Sequence, residues 1–438
     1  MTILSHRSLV IIVLALCAVA SAAVAAPRAR AQSYTDVPAS QWAHDAIEAV
    51  TQRGPTGHKV LDDYGEVFKP EQAITRELLA RSLVLASGNY GENVKPVAIV
   101  DVAANDQYYD VIQVALDHGY MNLSADGAFG PQDPVPAYQA EVAIIRWLKE
   151  RYSSSDWTLL TSLKPSHWQP NEGWQIEAPP YLPYVVASRQ LQLRYNHPTE
   201  ADGHEATPNQ AIDRAEVAYM FWRAYAVSGE WMLYGLADYK SITFPPLSER
   251  QKEIATFALK FVGYPYIWAG EYPTKDSPYG AQAAGGFDCS GFVFYVMKMH
   301  FDYPITVNER GGHDMAERAK PRITRNELQC GDPIFFGPKG PKSDVESIYH
   351  VGLYLGDGWF IHSTGSTDGV TLSSLDSSSY YKQYFAWGRR LLKPSELPAA
   401  ATEAPPAPDS PVQAAPDQAV QAASAPPVQA SPRPAAAD

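Results

Sequence analysis

One pattern occurs three times between about residues 33 and 228, and no other feature restricts the fold of this 438-residue chain as much. The first copy runs Tyr34-Thr35-Asp36-Val37, Trp42, Ile47, Phe68-Lys69-Pro70, then Ile74-Thr75-Arg76-Glu77 with Leu78-Leu79. The second runs Ile99-Val100-Asp101-Val102, Tyr108, Ile112, Gly119, Phe129-Gly130-Pro131, then Gln139-Ala140-Glu141-Val142-Ala143. The third closes with Ala206-Thr207-Pro208 and Ile212-Asp213-Arg214-Ala215-Glu216-Val217-Ala218. Trp42, Ala46, Ile47 and Val50, and later Leu78, Leu79 and Leu83, fall at helical spacing, which predicts two helices per copy around a Gly- and Pro-bearing loop. Thr75 and Asp213 suit helix N-caps, with a Glu following in the first turn where the dipole favours it. A lone helical hairpin of this size cannot bury its apolar stripe. Three copies can cover one another, so the trio is the expected unit of folding.

From about Pro246 the period changes. Ser248 with Gln251 forms a capping box, and Ile254, Phe257, Ala258 and Phe261 define an amphipathic helix. The segment Tyr264-Pro265-Tyr266-Ile267-Trp268-Ala269-Gly270 then enters a Gly- and Pro-rich loop that leads to Gly286-Phe287-Asp288-Cys289-Ser290-Gly291-Phe292-Val293. Residues 290 to 299 are largely apolar, which predicts a buried helix starting at or beside Cys289. A thiol at a helix N-terminus meets unpaired amides and the positive dipole end, so a lowered pKa is expected for it. Cys330-Gly331-Asp332 reads as a turn into a strand, and residues 349–355 and 359–362 as two further strands joined at Gly356-Asp357-Gly358. A three-residue loop pairs Leu355 with Trp359 and brings His350 and His362 to one face. A two-residue Asp357-Gly358 turn would set them on opposite faces. A thiolate, an imidazole and a third group that fixes the imidazole tautomer are the parts of a cysteine acyl-transfer site. Cys289, His350 and His362 could also supply zinc, but the helix-borne Asp-Cys-Ser-Gly setting argues for a nucleophile, so no metal and no cofactor are expected. His197, His204, His300 and His313 read as ordinary surface or core residues.

The repeats resemble the S-layer homology family, whose repeat opens with a hydrophobic-Asp-Val and Trp and closes with an Ile-Thr-Arg-Ala-Glu-like run. The resemblance implies a pseudo-three-fold, all-α domain that holds cell-wall polysaccharide, with Arg76 and Arg214 engaging anionic sugar groups and Asp36 and Trp42 as further groove candidates. Read this way, Gln139 occupies the Arg position of the second copy with two residues inserted before it. Residues 248–392 are similar to the NlpC-type cell-wall cysteine peptidases through Pro265-Tyr266-Ile267-Trp268, Phe287 to Val293, Gly331-Asp332, His350 to Gly356, Phe360-Ile361-His362 and Arg389-Arg390. That resemblance implies an α+β, papain-like domain that hydrolyses peptidoglycan stem peptides, usually at the bond between γ-D-glutamyl and a diamino acid. It makes Cys289 the nucleophile, His350 the general base and His362 the orienting residue, with Tyr266, Asp288 and Ser290 lining the substrate site. The chain departs from the family at Cys330 where Pro is usual, at Ala269 for Gly, and by an insertion from Glu271 to Gly285.

The ends and the composition complete the expected organisation. His6 and Arg7, an apolar run from Leu9 to Ala20, and Ala29-Arg30-Ala31 have the order of a secretory signal peptide over residues 1–31. The run is too short and Ala-rich to be a transmembrane anchor, and Leu16 before Cys17 is a poor fit to a lipoprotein signal. The protein is thus expected to be secreted and associated with the cell envelope. Export would leave only Cys289 and Cys330 of the three cysteines. A bridge between them would consume the nucleophile. A linker is expected at 229–247 and a Pro- and Ala-rich tail, disordered or polyproline-like, at 393–438. A net charge of -13 argues against nucleic acid as a partner. Peptidoglycan stem peptides and cell-wall polysaccharide are the expected partners. A silent wall-binding protein, or an amidase or transpeptidase on the same core, is the alternative function.

Overall fold

Three short extended segments, each ending in a long helix, meet at the centre of the N-terminal half. The computed structural model describes residues 34–52, 54–62, 64–151, 176–195, 204–227, 242, 244–365 and 369–398. The expected leader, most of the linker and the tail past 398 lie outside the described residues. Each copy contributes a pair of helices, α1 (His44–Thr51) and α2 (Arg76–Ser87), α3 (Tyr109–Asp117) and α4 (Ala137–Arg151), and α5 (Leu182–Gln190) and α6 (Arg214–Ala226), but the packing runs between copies, with α2 against α3, α4 against α5 and α6 against α1. Before the second helix of each pair, one backbone amide closes a ring. Ile74 donates to the Ile212 carbonyl at 3.1 Å, Ile212 to Val135 at 2.9 Å, and Val135 back to Ile74 at 3.0 Å. All three side chains are fully buried.

The ring also solves the problem of the first amides of a helix, which have no intrahelical acceptor. Arg76 and Glu77 donate to the carbonyls of Asp133 and Pro131, Ala137 and Tyr138 to those of Gln210 and Pro208, and Arg214 and Ala215 to those of Gln72 and Pro70. Each copy is capped by another. Asp213 adds a capping box with Glu216, whereas Thr75 makes no side-chain cap bond. The ring corrects the expected register of the second copy. Pro70, Pro131 and Pro208 precede Ile74, Val135 and Ile212 by the same spacing, so no insertion is present and Ala137, not Gln139, stands where Arg76 and Arg214 stand. The Asp of each opening run has a local task. Asp36 accepts from the amides of Phe68 and Lys69 at 2.9 and 2.7 Å, and Asp101 accepts from Phe129 and Gly130 at 2.7 Å each.

The C-terminal half is α+β. Helix α7 (Glu249–Leu259) begins at the Ser248 and Gln251 capping box. The insertion folds as two small antiparallel pairs, β1 (Glu271–Tyr272) with β4 (Gly286–Phe287) and β2 (Asp276–Ser277) with β3 (Gly280–Ala281). Helix α8 (Cys289–Phe294) continues into a wider turn over Tyr295–His300. Strands β5 (Pro333–Phe336), β6 (His350–Gly356), β7 (Trp359–Thr364), β8 (Gly369–Ser374) and β9 (Phe385–Gly388) form one antiparallel sheet in the order β8-β7-β6-β5-β9.

Both expected hairpin geometries contribute to the β6–β7 turn. Gly356 pairs with Trp359, leaving a two-residue Asp357-Gly358 turn whose φ values of 46° and 81° fit a tight hairpin. A bulge at Leu355 then restores the register in which Tyr354 opposes Phe360 and Leu353 opposes Ile361. His350 and His362 therefore share a face. Leu353, Leu355 and Ile361 belong to a buried apolar cluster that extends without a break into the helical trio, while Phe336, Tyr354 and Phe360 fill a second cluster on the opposite sheet face. The described residues up to Pro398 accordingly form one compact unit. Among the described residues no helix is long and apolar enough to cross a membrane.

Candidate active site

Asp288 fixes where α8 begins. Its Oδ1 accepts the Gly291 amide at 2.6 Å, which makes Cys289 the first helical residue. Cys289 and Cys330 are unbridged. The Cys289 sulfur receives backbone N–H groups from Val351 and Ser290, which favour thiolate, yet burial and the neighbouring Asp288 charge push the thiol up to about 12. This reverses the lowered value expected from the helix terminus. Desolvation and a like charge outweigh the amides in the unliganded protein.

His350 immediately precedes the Val351 amide that reaches this sulfur, so its backbone and the nucleophile are both placed at the start of β6. His350 Nε2 lies 2.7 Å from His362 Nδ1, and His362 Nε2 lies 3.0 Å from Ser373 Oγ on β8. Of the two His350 nitrogens only Nδ1 is then left to take a thiol proton. That role requires Nε2–H on His350 donating to His362 Nδ1, and Nε2–H on His362 donating to Ser373. Burial holds His350 down to about 4 and His362 well below the usual imidazole range, with His350 adding to the effect. Both rings are neutral at pH 7. Ser373 was not anticipated from the sequence, because only the β7–β8 register brings it to His362.

Arg310 was likewise missed, although two acidic residues flanking a nucleophile call for a counter-charge. Its guanidinium meets Asp288 Oδ1 at 3.0 Å, Glu271 Oε2 at 2.7 Å and Ser290 Oγ at 2.8 Å. It also meets the carbonyls of Ala269 and Gly270. Ala269 holds φ at 56°, a left-handed position where Gly would be unstrained. Asp288, Ser290 and Arg310 line a cavity of about 400 Å³ whose other wall is the insertion, through Glu271, Ser277, Tyr279 and Gln282. Gln282 pins that wall, accepting the Glu271 amide at 2.9 Å and donating to the carbonyls of Tyr272, Ala284 and Gly286. Tyr266 is half-buried and bridges Phe287. It is absent from the cavity lining.

The residues expected to grip polysaccharide are positioned differently from that expectation. Arg214 is fully buried, its guanidinium directed to the carbonyls of Phe68 and Asp62 and over the rings of Tyr64 and Phe68. Arg76 repeats the arrangement with the carbonyls of Phe129 and Asn122, and with Gln139 Oε1 at 2.7 Å. Both brace the next copy. Asp36 caps a turn, and Trp42 packs among Tyr195, Tyr219 and His204 with ring centroids 4.1, 5.8 and 6.2 Å away.

Two stretches of the chain match known families. Residues 263–389 match the NlpC/P60 family and residues 99–135 match the S-layer homology domain, so the chain carries an NlpC/P60 domain and an S-layer homology domain. It is 29% identical over 214 residues to the gamma-D-glutamyl-L-lysine dipeptidyl-peptidase of Bacillus cereus (strain ATCC 10987 / NRS 248), covering 48% of this chain and 58% of that one. It is 33% identical over 138 residues to the murein DD-endopeptidase MepH of Escherichia coli (strain K12), covering 31% and 44%. The chain thus spans about half the length of these curated relatives. A crystal structure of an NlpC/P60 family protein from Bacillus cereus ATCC 10987 is 30% identical, covering 35% of this chain and 42% of that one, with a TM-score of 0.27.

Proposed function

We propose that the protein is an exported peptidoglycan hydrolase. In this reading it is a cysteine endopeptidase that cuts stem peptides between γ-D-glutamyl and a diamino acid, held at the cell envelope by an all-α trio of S-layer homology repeats. The carrying observation is the 2.7 Å His350–His362 contact at the strand start whose Val351 amide reaches the Cys289 sulfur. Cys289 passes its proton to His350 Nδ1 as the sulfur bonds to the scissile carbonyl carbon. The carbon–nitrogen bond then breaks, and the same proton leaves with the amine. Water deprotonated by His350 attacks the thioester, releasing the acid and restoring the thiol. The names of the two relatives support peptidoglycan as the substrate class, and the longer match supports the γ-D-glutamyl bond. The closed ring of equivalent segments around the matched 99–135 region supports reading its neighbours as the same repeat.

Mass spectrometry of purified peptidoglycan, after incubation with the protein lacking residues 1–31, tests activity and bond together. Stem fragments with a new diamino-acid amino terminus are expected from the parent and none from Cys289→Ala, which should still sediment with the wall. Another new terminus would overturn the bond assignment. Equal turnover by the variant would overturn the cysteine mechanism.

A further inference from the structure

One buried arginine of the helical trio reaches into the other half of the molecule. Arg189, on α5, is fully buried and donates to the carbonyl of Gly263. Its guanidinium pairs with Glu205. Glu205 lies 3.5 Å from Arg194, which meets Glu141 at 3.1 Å and Glu216 at 2.7 Å. Glu216 completes the capping box on Asp213, the residue after Ile212 of the central ring. A line of buried charge therefore joins that ring to Gly263.

The receiving side is shaped for this contact. Gly369 opens β8 with φ at 140°, and a Cβ there would lie 3.2 Å from Arg189 Cζ and 2.3 Å from the Tyr264 carbonyl oxygen. Gly263 has φ at 90°, and a Cβ there would overlap Val185 of α5 at 2.4 Å. Glycine at both places lets strand, loop and guanidinium close together. From Gly263 the contacts lead to the nucleophile. Gly263 donates to the Val370 carbonyl at 2.9 Å and Val370 to that of Tyr264 at 2.8 Å, while Phe287 donates to Pro265 and Ile267 to Phe287 at 3.2 Å each. Phe287 precedes Asp288 and Cys289, and β8 carries Ser373. A buried ion is a costly component for a simple tether, which needs no such fixed geometry.

We infer that Arg189 is a positioning residue for the catalytic groove, so that the helical trio is a structural part of the peptidase and not only its anchor. The inference rests on the proposed activity for one of its two readouts. The full-length chain, Arg189→Met and Arg189→Lys are assayed on a soluble stem peptide, which gives the repeats no polymer to hold. Arg189→Met is expected to lower kcat by roughly ten- to a hundredfold with KM little changed, through displacement of reacting groups, and Arg189→Lys to recover part of it. Hydrogen exchange is the second readout. Amides of residues 263, 264, 266–268 and 287 should exchange faster in Arg189→Met, while those of α2 and α4 keep their protection. Parent-like kcat and exchange would overturn the inference. If Arg189→Met is not recovered folded, Gly369→Ala keeps every charge and carries the same readouts, and parent-like behaviour again overturns it. If the parent itself cuts no stem peptide, the proposed function fails, and the exchange measurement alone decides this inference.

Discussion

Burial sets the protonation states with which the reacting groups begin. His350 is held down to about 4 and Cys289 is pushed up to about 12, so the resting pair is neutral over a wide range. The acid limb of kcat/KM is expected near pH 4, where His350 gains a proton and loses its function as base. A limb near the ordinary imidazole value of about 6.5 would mean that the ring is solvated in the working enzyme. Stability follows the same sign. A histidine with a depressed folded pKa binds its proton first in the unfolded chain, so its contribution is complete above about pH 6.5 and falls as pH drops towards 4. The chain of rings also orders the mutants. His350→Ala should cost on the order of a thousandfold or more in kcat, as loss of a general base does. His362→Ala should cost less and Ser373→Ala least, about tenfold, since each acts only through its neighbour. Steady-state kinetics on one substrate checks the ranking. A larger loss at His362 than at His350 would mean that their roles are exchanged.

The β6–β7 hairpin decides whether those side chains meet at all. Because side chains alternate along a strand, the extra residue at Leu355 reconciles a tight Asp357-Gly358 turn with His350 and His362 on one face. Deleting Leu355 removes the bulge yet leaves Gly356 opposite Trp359, Tyr354 opposite Phe360 and Leu353 opposite Ile361, so His350 and His362 should stay on one face. The variant is expected to keep most of its activity, with the 2.7 Å ring contact still visible in its crystal structure. A loss as large as that of His362→Ala would mean that the twist added by the bulge, and not the shared face alone, sets the ring geometry. The same element shows what was legible in the sequence. The Cys289 helix and both histidine strands were readable because each rests on a short local pattern, whereas their shared face depends on the bulge at Leu355, which the turn residues alone do not reveal. Arg310 and Ser373 were not, since each joins the site through pairing with residues distant in sequence. The second repeat was misread by two residues for a similar reason. Its helix starts at Pro136-Ala137 with no side-chain cap to mark it, and carbonyls of Gln210 and Pro208 from another copy cap it instead.

At the scale of the molecule the repeats and the sheet share one apolar cluster, so effects on anchoring and on folding must be separated. Arg76 and Arg214 sit where the family resemblance expects polysaccharide ligands, yet their donors end on carbonyls of neighbouring copies. Arg214 is fully buried. Removing it leaves the Phe68 and Asp62 carbonyls short of a donor, and the loss of such a buried bond to a charged group costs about 1.5–3 kcal/mol. Ala137 already fills the equivalent place in the second copy, so the trio tolerates one such absence. Arg76→Ala with Arg214→Ala is therefore expected to lower the thermal midpoint of the chain and to weaken sedimentation with isolated cell wall in parallel. Calorimetry and sedimentation are to be compared on the same preparations, with Arg214→Lys as a third variant that restores charge without the planar fork. If the double variant keeps its midpoint but no longer sediments, the arginines touch polymer directly and the bracing role is wrong. If it sediments at physiological salt like the parent despite a lowered midpoint, the wall is held elsewhere on the trio. The aromatic cluster of Trp42, Tyr195 and Tyr219 is then the surface to test next.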